Sequence, residues 1–185
     1  MHFRRMTELI LKLVILVLTV SLASCGQKRV ERKDRVLNST PLQVDTSVIA
    51  VLPFDTAQYW VFKDCKPAKL TNGDFLKIEN LIRDCIDNYN PVQERNYNEI
   101  TAKNPNLKIA RNDFIINLTK YKRQYIAVTN SKGEKEVWIN CFCDSWGKKW
   151  REELIFVLDG GNCYFNLKIN LSHGEYYELM VNGDA

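Results

Sequence analysis

The chain has 185 residues, of which 45% are hydrophobic and 26% charged, a balance typical of one globular domain. Its formal net charge is +4, and the positive excess lies near the N-terminus: residues 1–24 carry +2, residues 26–35 carry +3, and everything after Arg35 carries −1. A folded part with no positive excess is poorly suited to hold a phosphate backbone. We therefore expect no nucleic-acid partner.

The N-terminal segment has the parts of a secretory signal. Arg4 and Arg5 supply the positive charge, and residues 13–23 (LVILVLTVSLA) form an apolar run of the usual length. Lys12 ends this run short of the about 20 apolar residues that a membrane-spanning helix needs. We interpret residues 1–24 as a signal peptide and not as a membrane span.

The apolar run closes on residues 22–25 (LASC), which resemble the lipobox of bacterial lipoproteins. The resemblance implies cleavage before Cys25, a diacylglyceryl group on its thiol, and a further acyl chain such as palmitate on its new amino group. Two or three chains suffice for stable anchoring, whereas a single chain holds a protein only marginally. The membrane is therefore the expected partner of Cys25. The alternative is an ordinary secretory signal followed by a disulfide cysteine.

Residues 25–47 are interpreted as a lipidated cysteine followed by a flexible, basic tether. The segment mixes charges, lacks aromatic residues and contains Pro41, so it cannot bury enough apolar surface to offset the entropy of ordering it. Gly26 and the absence of an acidic cluster after Cys25 imply, by the resemblance to Gram-negative lipoproteins, an outer-membrane protein of the cell envelope that faces the periplasm.

A single domain is expected over residues 48–185. Residues 48–54 (VIAVLPF) and 59–62 (YWVF) are short apolar runs rich in strand formers, and they predict two short strands. A helix is predicted over residues 74–89, where Thr71 begins a capping-box pattern and Pro91 marks the end. Its apolar residues recur at spacings of three and four: Phe75, Ile78, Ile82, Cys85, Ile86 and Tyr89, with Leu81 beside them.

The C-terminal half predicts an antiparallel meander. Residues 91–111 are polar and are predicted to be a long loop, and residues 125–128 are a further apolar segment. Four strands joined by short turns are then predicted near residues 137–143, 154–158, 163–169 and 177–181. The predicted fold class is α+β, with one amphipathic helix packed on an antiparallel meander sheet and two short strands before the helix.

Two further resemblances follow from these elements. Their order resembles that of cystatin-like folds, in which a curved antiparallel sheet wraps one long helix. Residues 159–183 (DGGNCYFNLKINLSHGEYYELMVNG) look like the end of uncharacterised small lipoproteins of Bacteroidota. Neither resemblance implies an activity.

Five cysteines remain after Cys25, and secretion would place them in a compartment that permits disulfides. Because five is odd, at least one thiol is free or pairs outside the chain. A bridge between Cys65, before the predicted helix, and Cys85, on its inner face, is the candidate disulfide.

The other cysteines suggest a metal site as a second hypothesis, since three cysteines and one histidine are a known set of zinc ligands. On a strand the Cα atoms of residues i and i+2, such as Cys141 and Cys143, lie roughly 6.5 Å apart, which is too far for two ligands of one tetrahedral metal ion. In the predicted meander Cys163 also falls at the opposite end of the strand pair from Cys143. We therefore predict no metal ligand and no cofactor. The residues weighed were Cys141, Cys143, Cys163 and His173.

Four aromatic residues are the candidate contacts with a partner, either an envelope protein or a glycan: Trp146, Trp150, Tyr176 and Tyr177. Packing of the two tryptophans as a lid on the core is the alternative. No catalytic motif is present, so the expected function is a lipid-anchored envelope protein whose domain binds without catalysis. The alternatives are a small envelope enzyme that uses His173 or a strand cysteine, and a structural subunit of an envelope complex.

Overall fold

The structure, a computed structural model, describes residues 44–55 and 60–183. The chain divides into two units, residues 1–39 and 40–185, and every described residue belongs to the second. The predicted signal peptide, Cys25 and the tether up to residue 43 lie outside the described residues.

One helix and one mixed sheet form the regular structure of the described residues. The helix α1 is Asn72–Lys103, and the strands are β1 (Ile49–Leu52), β2 (Lys66–Pro67), β3 (Lys122–Thr129), β4 (Lys135–Phe142), β5 (Tyr164–Asn170) and β6 (Glu175–Val181). The sheet order is β1-β3-β4-β5-β6, and β2 also pairs with β3. Only β1 and β3 are parallel among these pairs. The predicted α+β class, with two short strands before the helix and a meander after it, is confirmed.

Helix α1 begins at the predicted capping box. The Thr71 hydroxyl accepts from the Asp74 backbone N–H at 3.3 Å, and the Asp74 carboxylate accepts from the Thr71 N–H at 2.8 Å. Such a cap stabilises a helix by about 1 kcal/mol. The predicted stripe faces the sheet: Ile78, Ile82, Cys85 and Ile86 are buried, and Phe75, Leu81 and Tyr89 pack partly buried beside them.

The predicted end of the helix at Pro91 is wrong, since α1 continues to Lys103 with Pro91 inside it. Proline removes one helical hydrogen bond, and contacts from the following loop compensate. The Asn90 side chain donates to the carbonyl of Ile116 and accepts from its N–H, both at 2.9 Å. Tyr97 packs edge-on against Phe114 at 5.5 Å between ring centroids. Much of the predicted loop 91–111 is therefore helix.

The sheet face opposite α1 is covered by irregular chain. Trp60 and Val61 lie in a turn, and Val61 and Phe62 are buried against β3 and β4, so the predicted strand 59–62 is replaced by β2 further on. Residues 143–163, here called the covering loop, join β4 to β5 across this face. The predicted strand 154–158 lies within that loop and is not a strand.

The start of the folded domain lies before residue 48. The Asp45 carboxylate accepts from the Ser47 N–H at 2.9 Å and caps a 3-10 turn over Thr46–Val48. Val44 and Val48 pack against the core beneath α1. Residues 44–47, assigned to the tether by the sequence, therefore belong to the folded domain.

Candidate functional site

A buried polar cluster holds the covering loop on the sheet. The Gln124 side chain, fully buried in β3, donates to the carbonyls of Trp150 at 2.6 Å and Glu153 at 2.7 Å. Its carbonyl oxygen accepts from the Ile155 N–H at 3.0 Å and from Asn140 at 3.1 Å, and Asn140 also donates to the Ile155 carbonyl at 2.6 Å. Because these bonds satisfy loop backbone that would otherwise be buried unpaired, they fix the loop position.

Both ends of the covering loop are tied down as well. Cys143 and Cys163 form a disulfide with a Cα–Cα distance of 5.1 Å. Further along the loop, the Asn182 side chain donates to the carbonyls of Val157 at 2.7 Å and Asp159 at 2.9 Å. The loop is thus a fixed surface, and the side chains that it turns outward keep defined positions.

Four of the large apolar side chains that the covering loop and its surroundings expose are here called the apolar patch. The exposed fractions are 49% for Trp60, 60% for Phe156, 81% for Leu158 and 62% for Met180. The ring centroids of Trp60 and Phe156 are 5.3 Å apart. Exposed apolar groups that cluster in this way mark binding surfaces more often than scattered ones do.

The strand register places the rest of the patch on the same sheet face. Trp60 also packs edge-on against Trp138 at 5.6 Å, and the Trp138 indole N–H donates to Asn166, the residue opposite Met180. Asn182, two residues after Met180, bonds the carbonyls on either side of Leu158. The four side chains therefore surround one region of the face opposite α1.

The aromatic residues predicted as partner contacts are separated by the structure. Trp150 is 3% exposed and packs against Phe142 at 5.8 Å, so its predicted role as an exposed contact is wrong and it is part of the core. Trp146, in contrast, is 40% exposed.

The tyrosine pair of the last strand divides between the two sheet faces. Tyr176 packs partly buried beneath α1, and its hydroxyl accepts from Asn88 at 3.0 Å. Tyr177 is partly buried on the opposite face, where the Lys168 ammonium lies 6.0 Å from its ring centre. These two rings do not form a common surface.

The candidate disulfide between Cys65 and Cys85 is not formed, and both thiols are free. Cys65 packs on the face covered by Val61 and Phe62, whereas Cys85 lies beneath α1 on the other face, so the sheet separates them. The observed bridge is Cys143–Cys163 instead. The bridge was not predicted because a strand at 154–158 would make the segments before and after it parallel, which places Cys143 and Cys163 at opposite ends of the sheet. Without that strand β4 and β5 are antiparallel neighbours, and the two cysteines meet.

The thiols and the histidine do not assemble into a reactive group. Burial raises the pKa of the Cys85 thiol to about 11 and that of Cys141 further, so neither is a thiolate near neutral pH. His173 lies in the turn after β5, and this strand separates it from the Cys143–Cys163 bridge. Two of the sulfurs considered as zinc ligands, those of Cys143 and Cys163, are joined in the disulfide.

His173 pairs with Glu134 instead, at 2.8 Å between its Nε2 and the carboxylate. Hydrogen bonds from Asn130 and His173 lower the pKa of Glu134 to about 2, and the bond to Glu134 raises the pKa of His173. The pair joins the β3–β4 turn to the β5–β6 turn.

No family model, curated protein or solved structure matches the chain. Among residues 44–55 and 60–183, no helix combines the length and the apolar character needed to cross a membrane.

Proposed function

We propose that the chain is a lipid-anchored cell-envelope protein, attached to the membrane through acylated Cys25, whose single domain binds another envelope protein without catalysis. The anchor is supported by the order of Arg4 and Arg5, the apolar run 13–23 and the LASC sequence. On this proposal the chain carries its own membrane attachment, and the domain presents a binding surface to the periplasm.

The apolar patch is the observation that supports the binding role. Phe156 and Leu158 are exposed at the surface of a loop that the Gln124 cluster and the Cys143–Cys163 bridge hold in place. A rigid apolar surface loses little conformational entropy when it is covered, so more of the burial energy is available for association. Burying such side chains stabilises a contact by about 1.5–3 kcal/mol each.

The chemistry of the patch favours a protein partner over a glycan. Leu158 and Met180 offer aliphatic and thioether surface with no hydrogen-bonding group, whereas sugar recognition depends on placed polar groups beside aromatic rings. Methionine and aromatic side chains are enriched at the cores of protein interfaces. An apolar surface of this kind suits an apolar face of another protein.

Photo-crosslinking from single positions in cells tests the proposal. A photoreactive amino acid at Leu158 should give one discrete crosslinked protein, and that product should disappear when Phe156 is changed to Ser. The matched control places the same group at Leu107, which is 51% exposed outside the patch. Equal products from both positions, or a product that survives Phe156→Ser, would contradict binding through the patch.

A further inference from the structure

The helix side of the domain contains a cleft made of two adjoining cavities of about 630 and about 440 Å³. They lie where the chain between α1 and β3 passes beneath the helix. Arg83 of α1 lines both cavities, as do Leu118, Thr119 and Tyr121. A volume of this size holds a small organic molecule.

The larger cavity combines an apolar floor with basic walls. Ile86, Ile116 and Tyr121 are each less than 5% exposed and form part of the lining. Arg83 and Lys120 also line it, and neither forms an ion pair with any residue that the structure describes.

Two further charged groups on the walls do not reverse this balance. Arg111 lines the larger cavity and is paired with Glu94, with 2.9 Å between its Nε and the carboxylate. Asp87 is the acidic residue among the described lining of that cavity. The unpaired positive charge of Arg83 and Lys120 therefore favours an anion beside the apolar floor.

The smaller cavity is lined in part by a buried arginine, Arg123, that is already paired. Arg123 is 7% exposed, and its two terminal nitrogens donate to the carbonyls of Tyr121 at 3.3 Å and Leu118 at 3.2 Å. Its Nε lies 3.5 Å from the Glu79 carboxylate and makes no hydrogen bond. The same carboxylate accepts from the Tyr125 hydroxyl. The Nε is buried and faces Glu79, so Arg123 is held in the wall of the smaller cavity and its charge is shared with that carboxylate.

We propose that this cleft binds a small organic oxyanion, with a carboxylate or phosphate group near Arg83 and Lys120 and an apolar body on Ile86, Ile116 and Tyr121. Arg83 lines both cavities, and Arg123 forms part of the wall of the smaller one. The cleft lies on the sheet face opposite the apolar patch, so this site is independent of the proposed protein contact.

The test is a titration of the ¹⁵N-labelled full-length chain in detergent micelles, followed by NMR. The probes are phenyl phosphate, benzoate and, as the uncharged analogue, benzyl alcohol. At least one anion should shift the amides of residues 116–121 and bind about tenfold or more tightly than benzyl alcohol, since hydrogen bonds to a charged group are stronger than those to a neutral one. The two anion arms separate a phosphate ligand from a carboxylate ligand.

Arg83→Gln is the test variant, because this side chain is exposed and forms no ion pair with the residues that the structure describes. It should weaken the bound anion about tenfold or more, while Arg95→Gln, the same change at an exposed position of α1 outside both cavities, should leave binding unchanged. Equal binding of benzyl alcohol and the anions would overturn the proposal. So would an unaltered affinity in Arg83→Gln, or shifts that avoid residues 116–121.

Discussion

Gln124 is the residue on which the covering loop most depends. Its amide satisfies the Trp150 and Glu153 carbonyls and the Ile155 N–H, all in a buried region. Gln124→Met keeps most of the side-chain volume but leaves these groups unpaired, so we expect a loss of about 2–4 kcal/mol in the free energy of unfolding. Urea denaturation measures it.

The same substitution at Gln93 is the control, because its only side-chain bond in the described structure is an exposed one to Asn96 at 3.3 Å. Gln93→Met should change the unfolding free energy by less than about 0.5 kcal/mol. Equal effects at the two positions would show that the buried amide does not hold the loop.

The Glu134–His173 pair should make stability depend on pH in two directions. His173 has a raised pKa, so its contribution is complete below its ordinary value of 6.5 and is lost as pH rises through the raised value. Glu134 has a pKa lowered to about 2, so its contribution is complete above 4.5 and is lost as pH falls toward 2. The pair is therefore intact at mildly acidic to neutral pH.

An NMR titration of the His173 ring tests this pairing. Its pKa should lie above 6.5 in the wild-type chain and return toward 6.5 in Glu134→Gln. Glu99→Gln, at an exposed position of α1, should leave the His173 titration unchanged. An ordinary pKa in the wild-type chain would mean that the pair does not persist in solution.

At the scale of elements, the Cys143–Cys163 bridge closes the covering loop across a sequence separation of 20. A closed loop of that size stabilises the folded chain by about 3 kcal/mol, mainly by restricting the unfolded state. Replacing both cysteines by serine should lower the free energy of unfolding by about that amount, which thermal denaturation shows as a lower midpoint temperature. The free and partly exposed Cys65 provides the control, and Cys65→Ser should leave the midpoint nearly unchanged.

The second half of α1 should depend on the contact between Asn90 and Ile116. Asn90→Ala removes two hydrogen bonds to the Ile116 backbone and should lower the free energy of unfolding by about 1–3 kcal/mol. Asn96→Ala is the control, because it makes the same change at an exposed position of the helix and so measures the effect of intrinsic helix propensity alone. The backbone amides of α1 after Pro91 should exchange hydrogen faster in Asn90→Ala and not in Asn96→Ala.

At the scale of the whole molecule, the features that local pattern determines were predictable. The cap at Thr71 and the buried positions Ile78, Ile82 and Ile86 follow from spacings within a few residues. The extension of α1 past Pro91 was not predictable, because the Asn90–Ile116 bonds that support it join residues 26 apart. The covering loop was missed for a similar reason, since its backbone bonds to the side chains of Gln124, Asn140 and Asn182 instead of pairing with a strand at 154–158.

The candidate site was less predictable than the fold. Phe156 and Leu158 belong to a continuous apolar run, which suggests a buried strand, and only the loop path turns them outward. Trp150 lies in the covering loop, and the sequence does not determine whether a loop tryptophan faces solvent or the core. The cleft depends on Arg83 and Lys120, which come together only after α1 packs on the sheet.

Non-reducing peptide mass mapping of the protein from its own membrane fraction, with free thiols alkylated before digestion, shows whether the domain is tethered by lipid. We expect an N-terminal peptide that begins at acylated Cys25, a peptide pair linked through Cys143 and Cys163, and alkylated Cys65, Cys85 and Cys141. A Cys25 without lipid, whether joined to another cysteine or inside an uncleaved N-terminal peptide, would contradict the lipid tether.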